Sequence, residues 1–156
     1  MTGEKEETAR VVAPPPLIYV AGLLVGWQFD RAVPAAILPP AWQRGLGWLL
    51  IVIGLVGVVW AIVSMARVKT SVNPYAPTSA IATSGPYRFS RNPIYLFDIL
   101  IYLGACALIN SLWPLVLLPG VIWVMRIGVI DREERYLERR FGEKYLRYKR
   151  SVRRWL

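Results

Sequence analysis

Four apolar runs, separated by short polar stretches, set the plan of this chain. The clearest is the second. Gly45 to Ala66 is 22 residues without a charge, enough for the span of about 20 residues that a bilayer core requires. The first, Leu17 to Phe29, follows Pro14-Pro15-Pro16 and is short for a full crossing, so it must borrow from the proline run or sit in a thinned bilayer. Gly22 and Gly26 lie four apart within it, a spacing that lets another helix approach closely. The third run starts at Pro93 and ends near Ile109, and the Asn110-Ser111 turn separates it from the fourth, Leu112 to about Ile130. Pro114 and Pro119 near the start of the fourth are tolerated where neighbouring helices satisfy the freed backbone groups.

Beyond Ile130 the pattern changes. Asp131, Glu133 and Glu134 load a first helical turn with negative charge, which suits the helix dipole. Leu137, Phe141, Tyr145 and Tyr148 recur at spacings of four, four and three, one apolar-aromatic stripe on an amphipathic helix. Gly142 is the place where that helix breaks or kinks. The pattern as a whole predicts an all-α integral membrane protein with about four transmembrane helices and a C-terminal amphipathic cytoplasmic helix. It divides into a flexible tail over 1–13, two spans over 14–66, and a core over 67–156.

Composition agrees. Of 156 residues, 55% are hydrophobic, too apolar for an ordinary soluble domain. The net charge of +9 is uneven, with ten of the 19 Lys and Arg between Arg132 and Arg154. Four more lie between Arg67 and Arg91, and the Asn110-Ser111 turn has none. The positive-inside rule therefore places both termini, the central loop and the C-terminal segment in the cytoplasm. A basic end on an apolar body suits anionic lipid, and no nucleic-acid recognition fold is visible. There is no His and a single Cys, Cys106, which argues against a zinc or haem site and against a disulfide framework.

The candidate chemistry gathers between the second and third runs, in Ser84-Gly85-Pro86-Tyr87-Arg88-Phe89-Ser90-Arg91-Asn92-Pro93-Ile94-Tyr95. Gly85-Pro86 is a turn pair. Asn92 is an N-cap with Pro93 at the first helical position. A helix start offers free N–H groups to an anion, and Arg88 and Arg91 beside it strengthen that preference. Glu133 and Glu134 follow on the same side of the membrane and point about 100° apart on a helix. One serves a ligand while the other meets Arg88 or Arg91. Asp98 and Arg126 are ionisable residues inside the third and fourth runs. They form either a salt bridge between the two helices or a polar wall of a substrate pocket.

Taken together, Gly85-Pro86-Tyr87-Arg88, Arg91-Asn92-Pro93-Ile94-Tyr95, Glu133-Glu134 with Leu137, Phe141-Gly142, Tyr145 and Tyr148, and the closing Arg153-Arg154-Trp155-Leu156 resemble the isoprenylcysteine carboxyl methyltransferase family. The phospholipid N-methyltransferases are its wider relatives. The resemblance covers about Lys69 to Leu156. It implies a membrane enzyme, in a bacterial inner membrane, that uses S-adenosylmethionine and methylates a lipid or lipid-like acceptor at a carboxylate, thiol or amine. It implies cofactor contacts at Arg91, Asn92, Pro93, Tyr95, Glu133 and Glu134. The chemistry of the residues themselves adds Gly85, Tyr87 and Arg88 to that set, puts Asp98 and Arg126 toward the substrate, and points to no metal. Asn92 stands where the family often has His, so a role that needs imidazole is not available there. Two other readings fit the residues: a membrane reductase using a nicotinamide cofactor, and a non-enzymatic scaffold whose basic tail binds lipid. Neither the acceptor's identity nor the oligomeric state follows from the sequence.

Overall fold

The computed structural model describes residues 8–73 and 75–156. Among them every regular element is helical. The helices are α1 (Pro15–Ala32), α2 (Pro40–Arg67), α3 (Pro93–Ile109), α4 (Leu112–Met125), α5 (Asp131–Phe141) and α6 (Glu143–Ser151). A 3-10 turn, Gly85–Arg88, precedes α3, and a π-helical turn, Arg126–Ile130, joins α4 to α5. Two continuous helices, Pro40–Arg67 and Leu112–Phe141, are long and apolar enough to cross a membrane, and Pro93–Ile109 is a shorter apolar helix.

The helices begin and end where local chemistry directs. α1, α2 and α3 each carry Pro in the first turn, where the missing N–H has no intrahelical partner anyway. Asn110 ends α3 in the left-handed region, at φ 55°, a conformation that Asn tolerates better than most residues. Its side chain also binds the α1–α2 connection: Oδ1 accepts from the Ile37 and Leu38 N–H groups at 3.1 and 2.9 Å, and Nδ2 donates to the Leu38 carbonyl at 3.1 Å. Ser111 caps α4, its hydroxyl accepting from the Trp113 N–H.

α3 lies along α2, and α4 lies along α1. Small residues allow this closeness. A Cβ on Gly57 would fall inside the ring of Phe97, and one on Gly54 would meet the Phe97 carbonyl. Gly22 and Gly26 face Val121 and Pro114 of α4, so that pair serves packing within the chain. The core between these helices holds Tyr19, Tyr102, Cys106, Val121, Met125 and Val129. Outward, α2 exposes Leu49, Val52, Val56 and Val59, a surface that suits lipid rather than water.

One expectation changes. The segment 1–13 has the composition of a flexible tail. Residues 1–7 lie outside the described residues, but 8–13 form a strap across the π turn. Ala9 and Val11 are buried, Val12 N–H donates to the Gly128 carbonyl at 3.0 Å, and Arg132 donates to the Arg10 carbonyl at 2.9 Å. The polar composition hid two apolar side chains that find a hydrophobic seat. The C-terminal amphipathic stretch is parted into α5 and α6 at Gly142, the residue at which the sequence places its break or kink. Gly142 adopts φ 51° and ψ −130°, a backbone state that favours glycine, and α6 turns back so that Tyr145 and Tyr148 are buried.

Candidate functional site

The chain ahead of α3 meets α5 and α6 at one end of the bundle, where they line a cavity, and segment 152–155 packs behind them. The cavity's polar wall is made by Tyr87, Arg91, Asn92, Tyr95, Glu133, Glu134, Tyr136, Tyr145 and Tyr148. Its other wall is made by residues 70–73, 78 and 80–82, with Met65 and Ile94. The sequence fits the loop to this place. Gly85, at φ 60°, turns the chain so closely against α2 that a Cβ there would overlap the Ser64 hydroxyl. The turn that follows buries Pro86 and Tyr87.

Arg91 is the central feature. Its side chain is only 9% exposed, and Nη1 stands 3.4 Å from Glu134 Oε1. Neither Nε nor Nη1 makes a hydrogen bond. A buried charged donor without an acceptor is costly, and this one lines the cavity. Asn92 occupies the N-cap position of α3, but its side chain makes no cap. Its Nδ2 donates instead to the Arg154 carbonyl at 3.2 Å. The first turn of α3 is thus left without a side-chain acceptor beside an unsatisfied guanidinium, an arrangement that fits a carboxylate or phosphate oxygen.

The two carboxylates have separate surroundings. Glu134 is buried among cations: Arg154 binds it through Nε at 3.1 Å and Nη2 at 2.7 Å, Arg91 stands at 3.4 Å and Lys149 at 3.9 Å. Arg154 also reaches Asp131 at 3.0 Å, and Lys149 pairs with Glu138. The Glu134 hydrogen bonds push the Arg154 guanidinium's pKa up. Among the described residues no cation pairs with Glu133. It accepts from the Tyr95 hydroxyl at 2.7 and 2.8 Å. Burial pushes its carboxyl up to about 7, against the lowering effect of the Tyr95 hydrogen bond and with a smaller rise from neighbouring Glu134. Burial likewise holds the hydroxyls of Tyr87, Tyr145 and Tyr148 above their ordinary range, so these groups stay neutral donors. Tyr148 donates to the Tyr87 carbonyl at 2.7 Å, tying α6 to the loop.

Of the residues singled out from the sequence, Tyr87, Arg91, Asn92, Pro93, Tyr95, Glu133 and Glu134 line the cavity. Gly85 supports it from behind. Arg88 is exposed and does not line it. Asp98 and Arg126 lie away from the cavity lining, and among the described residues no ion pair joins them. α3 and α4 touch little, and Arg126 is exposed. The structure adds Tyr136, whose hydroxyl accepts from the Thr78 N–H at 3.0 Å and so anchors the far wall. It also adds Ser90, Lys149 and Arg154. Tyr136 falls off the stripe of spacings, and nothing in the pattern separates Arg154 from Arg153.

A family model of phospholipid methyltransferases matches residues 42–144. Protein-S-isoprenylcysteine O-methyltransferase A of Arabidopsis thaliana is 28% identical over 114 residues, which is 71% of this chain and 57% of that protein. The cobalt-zinc-cadmium resistance protein CzcN of Cupriavidus metallidurans is 32% identical over 95 residues, 61% of this chain and 44% of that protein. A Haemophilus influenzae protein described as uncharacterized is 48% identical over 51 residues, 30% of this chain and 81% of its own length. The chain thus spans about half the length of the first two.

Proposed function

The chain belongs to the phospholipid methyltransferase family, and from that premise we propose that it is an S-adenosylmethionine-dependent methyltransferase working at the cytoplasmic face of a membrane on a lipid or lipid-like acceptor. The observation that carries this reading is the buried, unsatisfied Arg91 beside the uncapped start of α3. When bound, S-adenosylmethionine supplies an electrophilic methyl group on a sulfonium. Arg91 and the N–H groups of α3 hold the carboxylate of its amino-acid portion. Glu133, which pairs with no cation among the described residues, takes the ammonium or the ribose diol. Tyr87 contributes an aromatic face suited to a cationic sulfur. Gly85 and Pro93 shape the loop and the helix start, and Arg88, outside the lining, adds only to the positive field around the site.

In the same reading α1, α2, α3 and α4 are four spans. The segment 14–66 supplies two of them and 67–156 forms the catalytic core, with α5 and α6 at the inner face of a bacterial inner membrane. Both termini are then cytoplasmic. The acceptor enters from the bilayer, with Asp98 three residues beyond Tyr95 on α3, and Arg126 available to an anionic group at the outside of the bundle. Displacement at a methyl carbon needs alignment above all. A carboxylate or thiolate acceptor therefore asks no base of a chain that has no His.

Calorimetry with the purified protein and S-adenosylhomocysteine tests the reading. Binding is expected. An absence of heat at millimolar ligand, with the protein folded, would overturn it. Affinity is expected to rise between about pH 6 and about pH 8, because Glu133 must lose its proton to take the ammonium and its carboxyl titrates near 7. In Glu133→Gln that rise should disappear and binding should stay weak throughout.

A further inference from the structure

The segment 152–155 meets the polar wall of the cavity through its backbone and through one side chain. The Arg153 carbonyl accepts from the Arg91 N–H at 3.0 Å. The Arg154 carbonyl accepts from the Ser90 hydroxyl at 3.1 Å and from Asn92 Nδ2 at 3.2 Å. The Arg154 guanidinium then crosses to α5, where it grips both oxygens of Glu134 and one of Asp131. Glu134 Oε1 is shared between Arg154 and Arg91. One short stretch therefore fixes the Arg91 backbone N–H, the side chains of Ser90 and Asn92 on either side of it, and the carboxylate that faces it.

We infer that Arg154 is a positioning residue for the cofactor site: through Glu134 and its own carbonyl it holds Arg91 in place for the ligand's anionic group. The inference rests on the cofactor reading above only for the identity of that ligand. Arg154 does not line the cavity and touches no ligand itself. The geometry explains why an arginine is used. A planar fork can bind both oxygens of one carboxylate and still reach a second, whereas an ammonium is a single point of charge.

The test is a pair of measurements on the full chain in detergent. In the first, S-adenosylhomocysteine affinity is expected to fall roughly tenfold in Arg154→Ala and less in Arg154→Lys. In an Arg91→Ala background the same Arg154→Ala change should cost no further affinity, because the effect passes through Arg91. Equal losses with and without Arg91 would show Arg154 to be a stability element only. In the second, with no ligand present, mass spectrometry follows the rate at which phenylglyoxal modifies Arg91. It should rise several-fold in Arg154→Ala and stay unchanged in Arg150→Ala, whose side chain pairs with exposed Glu143. An unchanged rate in Arg154→Ala would overturn the inference, whether or not the cofactor binds. A wild-type chain that binds no S-adenosylhomocysteine but shows the rise would sink the cofactor reading and leave the positioning role standing.

Discussion

Arg91→Ala is expected to weaken S-adenosylhomocysteine binding roughly ten- to hundredfold, the equivalent of about 1.5–3 kcal/mol for a hydrogen bond to a charged group. The side chain has already left water, yet Nε and Nη1 have no acceptor. The desolvation cost is thus present in the free protein, and an anionic ligand recovers it. The same reasoning gives an unusual companion result. Removing Arg91 gives up its 3.4 Å pairing with Glu134 but also removes two unbonded buried donors, so the ligand-free protein should stay close to wild type in stability, since Glu134 keeps Arg154 and Lys149. Arg91→Lys should fall between, with the charge kept and the fork lost. Calorimetry reads the affinity and thermal unfolding in detergent reads the stability. Undiminished affinity in Arg91→Ala would remove the anion site from the account.

Glu134→Ala is expected to have the larger effect on folding. Three cations, at 2.7, 3.4 and 3.9 Å, face this one carboxylate, which is only 4% exposed. Deleting it leaves buried Arg91 and the partly exposed Arg154 and Lys149 without their shared counter-charge, a change whose upper bound is the cost of about 3–5 kcal/mol for breaking a fully buried pair on one side. Glu133→Ala should be much milder in the same thermal assay. It strands only the Tyr95 hydroxyl, whose cost is about 1–3 kcal/mol at most, and it removes a carboxyl that burial disfavours. Equal melting temperatures for the two variants would contradict this division between a structural and a ligand-facing acid.

That division was partly legible beforehand. Adjacent positions on a helix point about 100° apart, so two neighbouring acids had to face different surroundings. Sequence offered either Arg88 or Arg91 as a partner, and it is Arg91 that Glu134 meets. The apolar helices were legible because long uncharged runs and proline starts leave few alternatives: Pro93–Ile109 falls where Asn92-Pro93 and Asn110 put it. The region past Ile130 was less so. Phe141 and Tyr145 share a spacing but sit on two helices, because a glycine with positive φ intervenes. Tyr136, on neither the stripe nor a motif, is buried and holds the loop at Thr78. Arg154 reaches Glu134 across 20 positions of sequence, and a contact of that kind leaves no periodic trace. Asn92 illustrates a subtler gap. Position and residue type both indicated a capping side chain, yet the amide is drawn to the Arg154 carbonyl, and the helix start stays open.

The π turn at Arg126–Ile130 has a consequence for how the two ends of the protein stay in phase. Asp131 N–H reaches back five residues to the Arg126 carbonyl, so the helix winds wide by one residue before α5 begins. The strap takes up the slack, with Val12 bonded to Gly128. That extra residue works as a gear offset. Straightening the turn to ordinary α winding with all its residues kept would rotate everything downstream by about 100°, swinging both acids off their partners, whereas deleting one residue of the turn would leave them in phase.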